Sequence, residues 1–361
     1  MLKENGNFIH RHAQTLALSN YVSLVHVYRN PAQKPFFSYS TQIEGGLISY
    51  VYSYKGRFFK FFLSAFLFYK AYKQACVRFG KVDLVIWNVF YPLAIHFFWL
   101  RVMCRKPNYA IEHWTGFLHN TPKFNPKHPH LLLAKFTSKF LNGIYGVSKN
   151  LNENMKLLGI KNIKGVIYNS VDTSIFYPKK DKPIQFNWIH VSSLLNDHKN
   201  VKLLIAAFSS FDNQCPNTIM TVVGGENHSE IKQLLESYKL AKKVNLIKAT
   251  NIEAVAAEMQ NSHALLLSSN YENMPCVIAE ALCCGLPVIT TQVGGVSEII
   301  DKNNGLVVPI NDLQQYTNAM KKIYQSYNNY NNLKIANEAN TLFAADAILV
   351  QFNQILESEK G

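Results

Sequence analysis

Acid is scarce in the first half of this sequence: residues 1–180 hold 6 Asp and Glu against 24 Lys and Arg. Residues 181–361 reverse the balance, with 17 acids against 13 bases. Two halves of opposite sign suggest two jobs, and the basic half is expected to seek something anionic: membrane lipid, nucleic acid or a phosphorylated acceptor. Cysteine is sparse as well. Cys76, Cys104, Cys215, Cys276, Cys283 and Cys284 form no Cys-x-x-Cys pair, which argues against a zinc ribbon and for reduced thiols in a cytoplasmic setting. Adjacent Cys283 and Cys284 read as small helix-packing residues rather than a redox pair. The greasiest runs, 58–72 and 89–100, fall short of the roughly 20 residues that span a bilayer. Residues 1–15 contain no continuous apolar core of a secretory signal, so none is expected. No Gly-x-Gly-x-x-Gly follows a strand-like run, which counts against a dehydrogenase, and no Gly-x-Ser-x-Gly elbow supports a hydrolase. Helix-turn-helix, zinc-finger and RNA-recognition signatures are missing too, so nucleic acid is not expected as a partner.

What is present is alternation. The 361 residues exceed the roughly 250–300 at which a single core stops growing, and 48% hydrophobic with 17% charged residues suits a folded, soluble chain. Strand-like runs at 21–28, 47–54, 82–90, 109–114, 144–148 and 163–169 are separated by helical candidates near 10–19, 57–79, 92–105 and 149–158. A cleaner series follows, with strands at 186–193, 218–225, 244–248, 263–269 and 287–291 and helices at 200–211, 228–240, 252–260 and from Pro275. Apolar strands alternating with helices predict an α/β fold of parallel sheets covered on both faces. The polar, proline-containing stretch near 168–183 divides the chain into domains at 1–168 and 169–342, with a last helix at 343–361 crossing back to the first domain. Open sheets of this kind bind ligands at the carboxyl ends of their strands, so the site is expected in the cleft between two facing Rossmann-like domains. The first helix starts so early that the opening strand of the N-terminal domain is expected to be missing.

The segment "ENMPCVIAEALCCGLPVITT" (272–291) poses a question of charge. Pro275 suits a first helical position, Gly285 a cap, and Pro287 bars continuation. Glu272 then lies on a loop just ahead of a helix N-terminus, and Glu280 inside that helix. Eight residues at ~1.5 Å each put the two carboxylates at most about 12 Å apart along the axis, the reach of a nucleoside diphosphate-sugar. Backbone N–H groups at the helix start are donors for an anion or for sugar hydroxyls. Glu272 alone reads equally well as a cap. Glu280 sits among apolar neighbours, so its carboxylate is expected to hold a bound partner, for which vicinal ribose hydroxyls offer two donors.

The spacing Glu272-x7-Glu280, with Gly285-Leu286-Pro287 and "GGVSEII" (294–300) behind it, resembles the signature of retaining family-4 glycosyltransferases of the GT-B fold. "VIYNSVDTSIFYP" (166–178), "WIHVSSLLNDHKN" (188–200), "VVGGEN" (222–227), "AIEHWTGF" (110–117) and "GVSKNLNENM" (146–155) resemble further motifs of that family. The resemblance implies a nucleotide-sugar held by the second domain, with Glu280 on the ribose, Glu272 on a sugar hydroxyl and Lys199 on the diphosphate. It also implies backbone contacts from Asn273, Met274 and Pro275, and His113 lining the cleft. Gly6, in the loop Glu4-Asn5-Gly6-Asn7 ahead of the first helix, is assigned to the donor as well. The family works without metal or other cofactor, in keeping with the lack of an Asp-x-Asp motif. An acceptor glycan or lipid-linked glycan completes the reaction, in surface polysaccharide or glycolipid synthesis. Two departures stand out. No arginine precedes Lys199, where the sequence reads Ser192-Ser193-Leu194, and Ser170 replaces the family's hinge glycine.

The basic aromatic stretch 55–81 reads as a crossover helix of the first domain whose lysines and arginines also suit an anionic bilayer surface, here the inner face of the cytoplasmic membrane. His10, His12 and "HPH" (128–130) have metal-like spacing, yet no carboxylate or cysteine cluster accompanies them, and no metal site is expected. Alternatives within the same fold are a catalytically inactive, membrane-associated binding protein and a nucleotide-sugar epimerase.

Overall fold

The computed structural model describes every residue except 1–6, 30–36, 45, 55–59, 90–103, 120, 122–123, 125–128, 195, 225–227, 249–250 and 360–361. The chain divides into two compact units. One holds residues 1–119, 123–170 and 348–361; the other holds 120–122 and 171–347.

In the first unit, helix α1 (Asn7–Ala17) leads into β1 (Val22–Arg29), β2 (Phe37–Glu44) and β3 (Leu47–Tyr54). These three form one sheet in the order β1-β3-β2, with β1 parallel and β2 antiparallel to β3. The antiparallel strand was not expected: "FSYSTQIE" alternates polar and apolar residues too loosely to stand out as a strand. Helix α2 (Lys60–Phe79) packs Leu63, Leu67 and Ala71 with Ile48, Tyr50 and Tyr52 of β3. A second, all-parallel sheet runs β4 (Val85–Asn88), β5 (Asn108–Glu112), β6 (Gly143–Gly146), β7 (Ile163–Val166) in sequence order. Helix α3 (Pro129–Ser138) precedes β6, and α4 (Lys149–Leu157) follows it, started by the Ser148 hydroxyl accepting from the Leu151 N–H at 3.0 Å. Residues 1–6, ahead of α1, where an opening strand was expected to be missing, lie outside the described residues. The helix expected at 92–105 falls almost wholly outside the described residues.

The second unit is a six-stranded, wholly parallel sheet. Its strands are β8 (Phe186–Ser192), β9 (Thr218–Gly224), β10 (Val244–Lys248), β11 (Ala264–Leu267), β12 (Val288–Thr291) and β13 (Gly305–Val308), in the order β10-β9-β8-β11-β12-β13. Short α5 (Asn196–Lys199) and long α6 (Val201–Asp212) follow β8, then α7 (His228–Ser237), α8 (Ile252–Gln260) and α9 (Cys276–Cys283) alternate with the strands. Helices α10 (Leu313–Ser326) and α11 (Asn332–Phe343) complete the unit, and α12 (Ala345–Ser358) carries the chain back into the first. Val201, Leu204, Ile205, Phe208 and Phe211 recur at helical spacing on α6 and are fully buried with Trp188, Val222, Leu266 and Ile289 of the sheet. Each such side chain contributes on the order of 1.5–3 kcal/mol by leaving water. Asparagine and aspartate start the helices: Asn251, Asp312 and Asn331 accept from the N–H of the residue three ahead.

The order β9-β8-β11-β12 places the carboxyl ends of β8 and β11 side by side. The segments that follow them hold Lys199, at the end of α5, and Glu272.

Candidate functional site

Helix α9 begins one residue later than the sequence suggested. Pro275 is its N-cap, with extended backbone (φ −65°, ψ 120°), and the helix runs Cys276–Cys283. Gly285 has φ +73°, and a Cβ there would meet the Asn332 carbonyl oxygen at 2.5 Å, so the chain turns out of α9 only because that side chain is absent. Cys283 and Cys284 are buried and unbridged; burial raises both thiols, Cys284 to about 12.

Glu272 is only 7% exposed at the end of the β11 loop. Its Oε1 accepts from Lys199 Nζ and from Ser269 Oγ at 2.9 Å, and lies 3.4 Å from His198 Nε2. The His198 ring stacks on Tyr271 at 4.3 Å and 11°. These described partners all meet one carboxylate oxygen. Burial pushes the carboxyl pKa up, but the polar contact with His198 and the charge of Lys199 outweigh it and hold Glu272 down at about 2. Glu272 is therefore a carboxylate at any physiological pH, an acceptor but not an acid.

The lysine is positioned by the neighbouring strand end. Ser268 Oγ donates toward the Lys199 and Asn200 carbonyls at 2.9 and 3.0 Å, and the Asn270 N–H bonds the His198 carbonyl at 2.8 Å. Asn200 adopts left-handed backbone (φ 48°), accepts from the Leu203 N–H to start α6, and donates to Asn270 Oδ1 at 3.0 Å. Two serines and an asparagine after an apolar strand thus fasten the Lys199 loop to the Glu272 loop. From behind, Gly294 (φ +47°) lets the chain approach so closely that a Cβ would fall 2.3 Å from the Asn273 carbonyl oxygen and 2.4 Å from that of Glu272. The Gly295 N–H then donates to the Asn273 carbonyl at 2.8 Å.

Asn273, Met274 and Glu280 are buried, the last 8% exposed on α9. The structure thus brings Lys199 and Glu272 into contact and seats Asn273, Met274, Pro275 and Glu280 on the same loop and helix. Where an arginine was missing, Ser192 is engaged internally: its Oγ lies 2.8 Å from His190 Nε2 and accepts from the Leu194 N–H. Sequence reasoning overlooked His198, Ser268, Ser269 and Asn270. The available signal was a pair of hydroxyls closing a fully apolar strand, a place where polar groups must find partners.

His113 lies in the first unit, just past β5. Its N–H and that of Trp114 donate to the buried Glu112 Oε1 at 2.7 and 2.6 Å. The ring stacks against Phe8 at 4.1 Å, and its Nε2 is 3.4 Å from the Asn88 side-chain amide, which also faces His12 Nδ1 at 3.5 Å. His12 Nε2 donates to the Tyr168 carbonyl at 2.9 Å. Burial lowers both imidazoles, His113 well below its ordinary value, so both are neutral. Gly6 lies outside the described residues. Among the described residues there is no group of three or more His, Cys, Asp or Glu that could hold a metal ion.

Residues 176–339 match the family described as glycosyl transferases group 1. That segment is a group 1 glycosyltransferase domain. A gpi3 subunit of phosphatidylinositol N-acetylglucosaminyltransferase from Schizosaccharomyces pombe is 33% identical over 172 residues, which is 46% of this chain and 38% of that protein. The chain thus matches less than half the length of the curated relatives it resembles. Among solved structures, sucrose-phosphate synthase from Thermosynechococcus elongatus superposes with a TM-score of 0.75 at 19% identity, over 98% of this chain and 92% of that one. Anabaena HepE in complex with UDP-glucose gives 0.65 at 20% identity, over 81% and 82%. The fold is the α/β GT-B fold of these structures.

Proposed function

We propose that the protein is a retaining glycosyltransferase that moves a sugar from a nucleoside diphosphate-sugar to a glycan or lipid-linked acceptor without a metal ion. The observation that carries this reading is the buried Glu272 carboxylate, whose described contacts all converge on Oε1 from Lys199, Ser269 and His198. Its second oxygen is then the acceptor for a sugar hydroxyl, beside the start of α9. An ammonium has three hydrogens, so Lys199 can keep Glu272 and still donate to a diphosphate oxygen. In the transfer, the bond from the anomeric carbon to the diphosphate breaks and the bond to the acceptor oxygen forms on the same face. The acceptor proton passes to the departing phosphate oxygen. Lys199 stabilises the charge that develops there. Glu280 holds the ribose and the backbone of Asn273 and Met274 the sugar; His113, in the first unit, is a neutral hydrogen-bonding group.

A uridine donor has first claim because the structural neighbour HepE is described with UDP-glucose. A lipid-linked acceptor is supported by the gpi3 relative, whose name specifies phosphatidylinositol. It is also supported by α2, which turns Phe62 and Phe66 outward, 61% and 60% exposed, with Val77 and the exposed Lys73 further along the helix. Apolar rings beside lysines suit peripheral attachment to an anionic bilayer. Among the described residues no helix is long and apolar enough to cross a membrane. The test is a thermal-shift panel of UDP, GDP, ADP and their sugars, followed by turnover with the preferred donor. Stabilisation by a nucleotide and release of free diphosphonucleoside only with acceptor is the expected result. Isomerisation of the sugar without acceptor, or binding of none of the panel, overturns the reading.

A further inference from the structure

The first unit contains a cavity that the donor chemistry does not use. It has a volume of about 340 Å³ and lies between the ends of β6 and β7 and the second half of α12. Tyr145 and Gly165 form one wall; Gln351, Gln354, Ile355 and Ser358, at helical spacing on α12, form the other.

Three features set it apart from a packing gap. Gln351 lines the cavity, and its Oε1 is sealed from it without a hydrogen-bond partner among the described residues, a state that costs about 1–3 kcal/mol and that a turn of the side-chain amide toward the cavity would relieve. The β6–β7 pairing shifts register between Ile144 and Tyr145, so Tyr145 pairs with Gly165 and Lys164 is bulged out. Bulges of this kind re-aim side chains beside sites. Gly165, opposite Tyr145, leaves open the space beside the ring: a Cβ there would sit 3.5 Å from the Tyr145 ring, and a longer side chain would extend into the cavity.

The lining decides the ligand class. Among the described residues no charged side chain lines the cavity, and the nearby Glu359 is already occupied by the Tyr109 hydroxyl and Asn142. Gln351, Gln354 and Tyr145 each both donate and accept, as sugar hydroxyls do, while the Ser358 hydroxyl already donates to the Ile355 carbonyl at 2.8 Å; the Tyr145 ring offers a flat face for the C–H side of a pyranose. The geometry points to a binding site for a neutral saccharide on the first unit, independent of the donor site and of the reading given above. Such a site would hold a glycan unit while transfer proceeds elsewhere.

The test is saturation-transfer NMR on the full chain with methyl glucoside, methyl N-acetylglucosaminide and maltotriose, with glucose 6-phosphate and galacturonate as anionic controls. Gly165→Leu fills the cavity and Gln351→Leu removes the acceptor with little change in volume. We expect saturation transfer from a neutral probe, with at least a tenfold loss of affinity in both variants. Nucleotide-induced stabilisation, read in parallel on the second unit, stays as in the parent, which separates failure here from failure of the donor assignment. Transfer from none of the probes, equal binding by parent and both variants, preference for the anionic probes, or a cavity holding only ordered water in a crystal grown with the sugar overturns the proposal.

Discussion

Lys199 closes its ammonium group on the Glu272 carboxylate, joining two residues 73 apart in sequence at the carboxyl ends of adjacent strands. Glu272→Gln keeps the shape and removes the charge. Sugar transfer is expected to fall at least about 100-fold, because the residue acts on charge in the transition state. Nucleotide affinity, measured by calorimetry, is expected to stay within a few-fold of the parent. Equal turnover by both proteins would remove Glu272 from the chemistry.

The same carboxylate sets an acid limit. Its folded pKa, about 2 against an ordinary 4.5, is depressed, so the stability it contributes is complete above 4.5 and is lost as pH falls toward 2. The shift corresponds to about 3 kcal/mol. Denaturant titrations from pH 5 to 2 should show that Glu272→Gln is the less stable protein at pH 5 and that the gap narrows with acid. A constant gap would contradict the assignment.

His190 acts earlier in the titration. Its Nδ1–H donates to the Leu266 carbonyl at 2.8 Å and its Nε2 accepts from the Ser192 hydroxyl, an arrangement that only the neutral ring can make. Burial lowers it to about 4, with the Leu266 bond opposing and the charge of Lys199 assisting. Stability from keeping this ring neutral is present above 6.5 and is lost as pH drops through 6.5 toward 4. His190→Gln should flatten the dependence of melting temperature on pH between 6.5 and 4; an unchanged slope would place the acid sensitivity elsewhere.

Gly285→Ala forces a left-handed alanine whose Cβ lies 2.5 Å from a backbone oxygen of Asn332. The conformation alone costs about 1–2 kcal/mol, and relief of the contact adds to it. A fall in melting temperature of several degrees is expected, with donor affinity per folded molecule preserved. A melting temperature equal to the parent's would show that the turn after α9 can relax.

Phe62→Ser together with Phe66→Ser removes the outward rings of α2 without touching Leu63, Leu67 or Ala71. Co-sedimentation with vesicles containing phosphatidylserine should drop several-fold, while turnover on a water-soluble acceptor is unaltered. Equal sedimentation would take α2 out of membrane attachment.

The parallel sheet of the second unit was legible because its strands are continuous apolar runs and its helices show a buried stripe: the expected span 252–260 is α8 to the residue, and 200–211 differs from α6 by one. Pro275 misled by a single position, since a proline's φ suits both a cap and a first turn. The last three helices were legible only in part: residues 343–361 were read as a last helix, and the polar α10 and α11 were passed over. In the first unit, strand β2 escaped because antiparallel pairing with one solvated face tolerates serine, threonine and glutamine.

At the site, the two acids and the lysine stood out in the sequence, whereas His198, Ser268, Ser269 and Asn270 did not. Their importance comes from pairing between β8 and β11, more than seventy residues apart, which no local pattern encodes.

Gly294 supports Glu272 and Asn273 through their backbones, so the path of that loop is indifferent to which side chains it carries. In the proposed donor site, the residue that fixes where a ligand would sit is thus one that no ligand needs to touch. A sequence could preserve both glutamates and the lysine and still be inert, silenced by a single methyl group placed behind them.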